Sequence, residues 1–530
     1  MVNSAQFDPC AEAVIDGVRY TISFRRQENG DYFVTRVYTI DAKFKSPEGL
    51  RVRDTITANG PKDISEAPYF EVYAEKGTSW IPVVGVLGMV NLRGGGKGLL
   101  GDKVEDLWPG GPKPVQLWIG GFIEREQRSA APDDGRGAYA THHYRNLFAE
   151  AGHSQTEIDA KIDAAFQQLF HGDPDTQAVY YSAGANGNGP LAYLTDIGNH
   201  DVRTEGMSYG MMIAVQLNRK AEFDALWNWA RSYMYISSPA HPSQGYFSWS
   251  CKVSGEPNDE TPAPDGEEYF VMSLYFAANR WGSGAGIYNY KARAGELLTA
   301  MRHRERRTGA TRFGVRTVGA EVNEQAKMIR FTPVEGKADF TDPSYHLPAF
   351  YELWARWGPV EDRAFWAQAA QASREFFERT ANAKTGLSPD YANFDGTPHP
   401  IAWNPHAGDF SFDSWRTQSN WSVDWSWWAK DERERALSDR TQAFFSSQGI
   451  DSYADQFTLD GEPLSHRHST GLAATSAVAS LAATQPVKDR FVEELWKMPV
   501  PSGHERYYDG MLYLMSLMHV SGNYRIWSPR

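Results

Sequence analysis

The sequence predicts a chain of two parts, a β-rich N-terminal domain over residues 1–130 and a mostly helical domain over residues 131–530. Three observations lead to this prediction. Short runs of β-branched and aromatic residues are frequent before residue 130, and helical periodicity is frequent after it. The predicted helices are separated by substantial loops rich in Gly, Pro, Asp and aromatic residues. Many helices joined by such loops fit a ring of helical hairpins, with the loops forming a cleft at one end.

In the N-terminal part, two runs with strand character, at 20–24 and 32–38, flank the pair Asn29-Gly30. An Asn-Gly pair between such runs indicates a tight hairpin turn, because both central residues of that turn need positive φ. Further strands are predicted near residues 70–73, 80–86 and 115–119. The segment 130–137, rich in Ala, Asp, Gly and Pro, is typical of a linker between the two parts.

After this segment the pattern is helical. Ser154 and Glu157 have the spacing of a capping box, which indicates the start of a helix. The residues behind them that fall on one helical face are Ile158, Ile162, Phe166 and Leu169. A second stripe consists of Phe223, Leu226, Trp227, Ala230 and Met234. Comparable helices are predicted near residues 269–281, 292–301, 346–357, 365–377, 420–428, 471–482 and 511–520. Strand signals are few here, so we expect no parallel sheet.

The composition argues against several classes of function. The net charge of −13 opposes binding to nucleic acid, whose phosphates attract a basic surface. No apolar stretch is long enough for a membrane span. The two cysteines, Cys10 and Cys251, lie far apart, which argues against a disulfide framework and a cysteine-ligated zinc site. Residues 1–16 have neither the basic start nor the apolar run of a signal peptide, so we expect a cytoplasmic protein.

Aromatic residues are abundant, with 18 Trp, 26 Tyr and 27 Phe. The C–H faces of sugars pack well on aromatic rings, so this surplus suits a carbohydrate-binding groove. It suits a large aromatic core equally well. The composition therefore leaves both interpretations open.

Three acidic residues stand among Gly, Tyr or Trp at junctions between loops and helices. Glu205 precedes a helix of small residues and methionines, which would desolvate its carboxyl group and raise its pKa, as a proton donor requires. The alternative is a glutamate that satisfies free N–H groups at a helix start. Asp265 also has a structural alternative, because Asp-Gly is typical of a turn whose acid caps the next helix.

The third acid, Asp413, is enclosed by aromatic residues and precedes Arg416 by three positions. This setting predicts either a held, ionised base or a member of a structural ion pair. Tyr345 follows Asp342-Pro343 on a constrained loop, where its hydroxyl group could orient a water molecule or simply belong to a turn that starts a helix.

His466 and His468 raise the question of a metal site. They have no nearby Cys or third His at ligand spacing. We therefore predict hydrogen-bonding or surface roles for them, and neither a metal nor another cofactor.

The most informative run is Asp201-Val202-Arg203-Thr204-Glu205-Gly206-Met207-Ser208-Tyr209-Gly210-Met211-Met212, followed by Phe223-Asp224 and Trp227-Asn228-Trp229. With these runs the chain resembles glycoside hydrolase family 8, from about residue 142 to the C-terminus. Pro264 and Glu267 depart from the family pattern around Asp265. The resemblance implies an (α/α)6 barrel of six inner and six outer helices as the catalytic domain. Residues 1–130 lie outside it.

The resemblance implies an inverting glycoside hydrolase that releases xylose from the reducing end of β-1,4-xylo-oligosaccharides. Glu205 corresponds to the proton donor, Asp413 to the general base and Asp265 to the acid that contacts the distorted sugar. Tyr345 resembles the tyrosine that holds the attacking water. His468 resembles a loop histidine that recognises the reducing-end hydroxyl group. Further substrate contacts are expected at Arg203, Trp249, Tyr269 and Arg416.

Two alternatives stay open. One is an endo-acting relative on xylan, β-glucan or chitosan, and the loop around His468 decides between this activity and exo action, because long chains need an open groove. The other is a glycan-binding protein that has lost catalysis, which the presence of Glu205, Asp265 and Asp413 together argues against. The expected partner is a xylo-oligosaccharide, with no nucleic acid and no membrane, and the sequence leaves the oligomeric state open.

Overall fold

A computed structural model describes residues 136–529 and, in the N-terminal part, the backbone of seven strands. These strands are β1 Asp8–Ile15, β2 Val18–Arg26, β3 Tyr32–Thr39, β4 Leu50–Arg53, β5 Glu71–Lys76, β6 Ser79–Val84 and β7 Pro114–Val115. They pair in the orders β3-β2-β1-β7 and β4-β5-β6. The predicted Asn29-Gly30 turn and most of the predicted linker lie outside the described residues, and the β-rich domain stays a prediction. The chain divides into two compact units after Ala131.

The second unit is built from helices. In chain order the described ones are α1 Ala138–Thr141, α2 Leu147–Glu150, α3 Gln155–His171, α4 Thr204–Gln216, α5 Lys220–Trp229, α6 Pro264–Trp281, α7 Tyr290–His303, α8 Pro348–Trp357, α9 Arg363–Thr380, α10 Trp415–Trp428, α11 Glu432–Gln448, α12 Thr470–Val478, α13 Lys488–Lys497 and α14 Tyr508–Val520. From α3 onward they alternate between an outer and an inner position, six of each within the described residues.

Burial distinguishes the two sets. In α4 every residue except Glu205 is buried, and α12 is buried from Gly471 to Val478. A helix that is buried on all sides belongs inside a ring, whereas α3 buries only the face that carries residues such as Ile158 and Phe166. The inner helices close a ring, because α4 packs on α6 and α14, and α12 packs on α10 and α14. α8 completes it against α10 and, through Phe350 on Tyr269, against α6. This architecture is consistent with the (α/α)6 barrel.

Several sequence predictions are confirmed in this unit. Ser154 and Glu157 form the capping box at the start of α3. The second predicted stripe is buried, although α5 gives way to a π-helical turn at Ala230–Met234. Two outer helices, α11 and α13, were not predicted, because charged residues dominate them and few apolar residues mark their inner faces.

Eleven short strands lie in the loops of this unit, and all of their described pairings are antiparallel, as expected. They are β8 Tyr180–Asn186, β9 Gly189–Leu194, β10 Asp201–Arg203, β11 Ser250–Lys252, β12 Pro257–Asp259, β13 Arg307–Thr311, β14 Gly314–Val318, β15 Val322–Asn323, β16 Met328–Ile329, β17 Phe340–Thr341 and β18 Ala392–Asn393. The three-stranded sheet β10-β11-β12 immediately precedes α4 and α6 and sets the starts of these inner helices. Within the described part of the chain, no helix is long and apolar enough to cross a membrane.

Candidate active site

Glu205 lies in the first turn of α4, one residue inside the helix rather than ahead of it. Its side chain is 16% exposed, and its Oε1 accepts a hydrogen bond of 3.1 Å from the hydroxyl group of Tyr507. Burial raises the pKa of Glu205 to about 7, against the opposing charge of Arg416. The next residue is glycine for a steric reason, since a Cβ at Gly206 would stand 2.5 Å from the Tyr507 oxygen. The carboxyl group is therefore set up to hold a proton near neutral pH.

Asp265 lies in the first turn of α6, behind Pro264 at the helix start. Its Oδ1 accepts the Gly266 N–H of the same helical turn at 2.9 Å, but the N-cap residue of α6 is Ala263 and not Asp265. Burial raises its pKa, with Arg416 opposing the shift. A Cβ at Gly266 would stand 2.4 Å from the Cβ of Thr204, so the glycine lets the starts of α4 and α6 approach closely. This approach brings Asp265 beside Glu205.

Arg416 links the three predicted acids. Its Nη1 lies 2.9 Å from Asp265 Oδ2 and 3.3 Å from Glu205 Oε2, and its Nη2 lies 2.8 Å from Asp413 Oδ1. The guanidinium group is 6% exposed and also donates to the hydroxyl group of Tyr209. Because one guanidinium group bridges Glu205 and Asp413, their carboxyl groups are no farther apart than the upper limit of about 9.5 Å for inverting pairs.

Asp413 projects from a single turn of 3-10 helix, Phe412–Ser414, that precedes α10. Its side chain is 32% exposed, twice the exposed fraction of Glu205. The turn is held from below by Asp390, whose carboxyl group accepts hydrogen bonds from Ser411 and Ser414. The two acids predicted to transfer protons therefore lie on different elements: Glu205 on the long helix α4, and Asp413 on a single 3-10 turn.

Tyr345 ends a second 3-10 turn, Pro343–Tyr345. The buried carboxyl group of Asp342 accepts the Ser344 N–H at 2.7 Å, and Asn420 on α10 donates to the Ser344 carbonyl oxygen at 2.7 Å. The Tyr345 ring lies 5.8 Å from the guanidinium carbon of Arg416. The structure thus brings Tyr345 to the arginine that also contacts Asp413.

Two cavities meet at the acidic pair. The larger, about 700 Å³, is lined by Arg203, Glu205, Trp249, Asp265, Phe331, Tyr345, Tyr391, Trp403 and Asp413, among others. The smaller, about 360 Å³, is lined by Asp196, Arg203, Glu205, Phe412, Asp413, Trp415, Arg467, Tyr507 and Tyr508, among others. Glu205, Asp413 and Arg203 border both. A chain of sugars passing from one cavity to the other would cross between the two carboxyl groups.

The predicted substrate contacts have different positions. Trp249 lines the larger cavity, and the guanidinium group of Arg203 lies 5.5 Å from its ring centroid. Tyr269 is buried against Tyr209 and Phe350 and lines a small internal cavity below Arg416, not either wall of the cleft.

His468 is turned towards the protein interior. Its Nδ1 lies 2.8 Å from the Tyr453 carbonyl oxygen, its ring packs edge-on against the Tyr453 ring, and its Nε2 is buried with no hydrogen-bond partner among the described residues. It is not among the residues that line the two cavities. Arg467 lines the smaller one and makes ion pairs with Glu505 at 2.7 Å and Asp509 at 2.8 Å.

Sequence reasoning missed Tyr507 and Asp390. Tyr507 meets Glu205 across 302 positions of sequence, and no local motif marks such a pair. Within residues 136–529, no group of three His, Cys, Asp or Glu side chains has the arrangement of a metal site. The thiol of Cys251 is buried, which raises its pKa to about 12.

Comparison with known proteins shows the family of this chain. A family model described as glycosyl hydrolases family 8 matches residues 188–522. The reducing-end xylose-releasing exo-oligoxylanase Rex8A of Paenibacillus barcinonensis is 43% identical over 396 residues, which cover 74% of this chain and 99% of that protein. The corresponding enzyme of Halalkalibacterium halodurans is 42% identical and is covered to 97%. The solved structure of a Teredinibacter turnerae GH8 xylanase, a catalytic mutant in complex with xylohexaose, is 54% identical with a TM-score of 0.73, covering 74% of this chain and 100% of that one.

Proposed function

Since the chain belongs to glycosyl hydrolase family 8, we propose that it hydrolyses β-1,4-xylo-oligosaccharides with inversion and releases xylose from the reducing end. The observation that carries this proposal is the placement of Glu205 and Asp413 where the two cavities meet, bridged by one arginine. Inversion needs one carboxylic acid and one carboxylate on opposite sides of the scissile bond, with room for a water molecule.

The two carboxyl groups take different roles in this proposal. Glu205, whose pKa is raised to about 7, protonates the leaving oxygen. Asp413, more exposed and paired with Arg416, accepts the proton of the attacking water. Tyr345 orients that water, and Asp265 contacts the sugar that is distorted on the way to the transition state. Because Asp265 and Tyr345 line the larger cavity, that cavity holds the non-reducing part of the substrate and the smaller one holds the leaving xylose.

Product analysis tests the proposal directly. Xylotriose and xylotetraose labelled at the reducing end are incubated with the protein, and the products are followed by chromatography and by anomer-sensitive NMR. We expect labelled xylose as the first product, and an α-anomeric hydroxyl group on the newly formed end of the remaining oligosaccharide. A β-anomeric product would exclude inversion, and the absence of turnover would favour a silent glycan-binding protein.

A second candidate is internal cleavage of longer xylan chains. It is favoured by the higher identity, 54%, to the protein described as a xylanase with bound xylohexaose. Xylohexaose with a blocked reducing end separates the two candidates. An exo-acting enzyme that recognises the free end loses most of its activity on the blocked substrate, whereas an internally cleaving enzyme keeps it.

The substitution His468→Ala tests how the reducing end is recognised. If the imidazole group binds a hydroxyl group of the free end, this variant loses preference for free over blocked xylotriose more than it loses turnover. Since Arg467 lies on the cavity wall, Arg467→Gln is the matched comparison. Unchanged discrimination in His468→Ala and reduced discrimination in Arg467→Gln would assign recognition to the arginine.

Two further points remain proposals. We propose that residues 1–130 form a separate β-rich domain, and we propose a cytoplasmic location. Expression of residues 132–530 alone tests the first, because a catalytic unit that folds independently keeps its activity on xylotriose. Fractionation of the native host tests the second.

A further inference from the structure

The turn that carries Asp413 rests on a buried carboxyl group with no part in the proton transfers above. Asp390 is 4% exposed and is bound to both ends of that turn. Its Oδ2 accepts the Ser411 hydroxyl at 2.5 Å, and its Oδ1 accepts the Ser414 N–H at 3.1 Å. The Ser414 hydroxyl group lies 2.9 Å from the same Oδ1 and is shared with the Ser411 carbonyl oxygen at 2.6 Å.

The other contacts to this turn come from α10 and α14, because Arg416 Nη2 lies 2.8 Å from Asp413 Oδ1 and the Tyr508 hydroxyl group donates to the Phe412 carbonyl oxygen at 3.0 Å. Phe412 is 47% exposed and Asp413 points into the cleft, so only Ser414 is buried among the three residues of the turn. Ser411 and Ser414 are also hydrogen-bonded to each other: the Ser411 N–H donates to the Ser414 hydroxyl oxygen at 2.8 Å. These internal bonds shape the turn, whereas Asp390 attaches it to the segment 390–393, which belongs to a different loop.

Asp390 makes no ion pair with any described residue. A buried carboxyl group without a cation is costly unless hydrogen bonds satisfy it, and here the donors all come from one turn. A buried aspartate also binds the turn Pro343–Tyr345, because Asp342 is the N-cap residue of that turn and accepts the Ser344 N–H. The difference is that Asp342 belongs to the turn it binds, whereas Asp390 comes from another segment.

We propose that Asp390 is a positioning residue that sets the place of the Asp413 carboxyl group, and this inference rests on the proposed function. Three hydrogen bonds between this buried carboxyl group and one turn restrict the movement of the turn, because breaking them would leave buried polar groups unsatisfied. A displacement of about 1 Å in a catalytic group can cost about 100-fold in rate. Loss of Asp390 therefore lowers turnover and leaves the sugar-binding walls of the larger cavity intact.

The test is a set of variants assayed on xylotriose for kcat and KM separately. Asp390→Ala removes both acceptors, and we expect kcat to fall about 100-fold with KM within twofold of the unchanged protein. Asp390→Asn keeps one acceptor oxygen for Ser414, and we expect kcat to fall about tenfold. Ser411→Ala removes a single hydrogen bond and should lower kcat a few-fold.

Asp362→Asn is the matched control, because Asp362 is a fully buried aspartate on the outer ring, bound to Arg302 and His303. It should lower the Tm and leave kcat unchanged. Wild-type kcat in both Asp390 variants, or a rise in KM that accounts for the lost activity, would overturn the inference. If Asp390→Ala fails to fold, Asp390→Asn and Ser411→Ala decide. Failure of the unchanged protein to cleave xylotriose would refute the proposed function instead.

Discussion

Glu205 lies within a thirteen-residue helix whose other residues are all buried, whereas Asp413 lies on one turn of 3-10 helix beside the exposed Phe412. Both contact the same arginine. Their environments nevertheless differ, because Glu205 is half as exposed as Asp413 and is covered by Tyr507. One cation thus contacts both carboxyl groups, and burial raises the pKa of Glu205, the less exposed of the two, to about 7.

The largest expected effect on activity is that of substituting Glu205, the more buried of the two acids. Glu205→Gln cannot protonate the leaving oxygen, and general acid catalysis contributes about 10²–10⁴-fold. We expect a loss of that size in kcat on xylotriose, with a Tm close to that of the unchanged protein. A loss below about tenfold would remove Glu205 from the role of proton donor.

Asp413 is the less buried of the two acids. The substitution Asp413→Asn removes the proposed base but leaves a site that water can reach. We expect kcat to fall by about 10²-fold or more, measured on the same substrate. Asp259→Asn is a suitable control, because Asp259 lines the same cavity and its carboxyl group accepts its described hydrogen bonds only from Thr261. If Asp259→Asn were as inactive as Asp413→Asn, loss of any carboxyl group in the cavity would abolish activity. That result would contradict a specific role for Asp413 as the base.

The pH dependence of kcat/KM tests the role of Glu205 separately from that of Asp413. The donor must carry its proton, and burial raises the pKa of Glu205 to about 7. As the pH rises through about 7, Glu205 loses that proton, so kcat/KM on xylotriose should fall along a basic limb centred there. A profile that stays flat up to pH 9 would contradict this assignment of the donor.

Sequence patterns predicted those features of the structure that depend on residues close together in the chain. The capping box of α3 and the apolar faces of the outer helices α3 and α5 follow from neighbouring residues, so they were predictable. Glu205 and Asp413 were found from runs of residues around them. Asp390 and Tyr507 were not, because each acts on a residue of another segment, 21 to 302 positions away, and their own neighbours give no sign of it. The position of His468, turned onto the Tyr453 carbonyl oxygen, likewise depends on a loop conformation that no short motif determines.

The smallest effect concerns the hydroxyl group that covers Glu205. Tyr507 donates to Glu205 Oε1, and donation to a carboxyl oxygen favours the ionised form. Tyr507→Phe keeps the ring against Gly206 but removes this donor, so the pKa of Glu205 should rise. The basic limb of kcat/KM should then move to higher pH by less than about one unit, with a change of only a few-fold in kcat below it. Tyr513→Phe is the matched control, because Tyr513 is a buried tyrosine of α14 whose hydroxyl group donates to the Met498 carbonyl oxygen, away from the cleft. An equal shift in both variants, or a shift to lower pH in Tyr507→Phe, would show that the tyrosine does not tune the donor and that burial alone separates the two carboxyl groups.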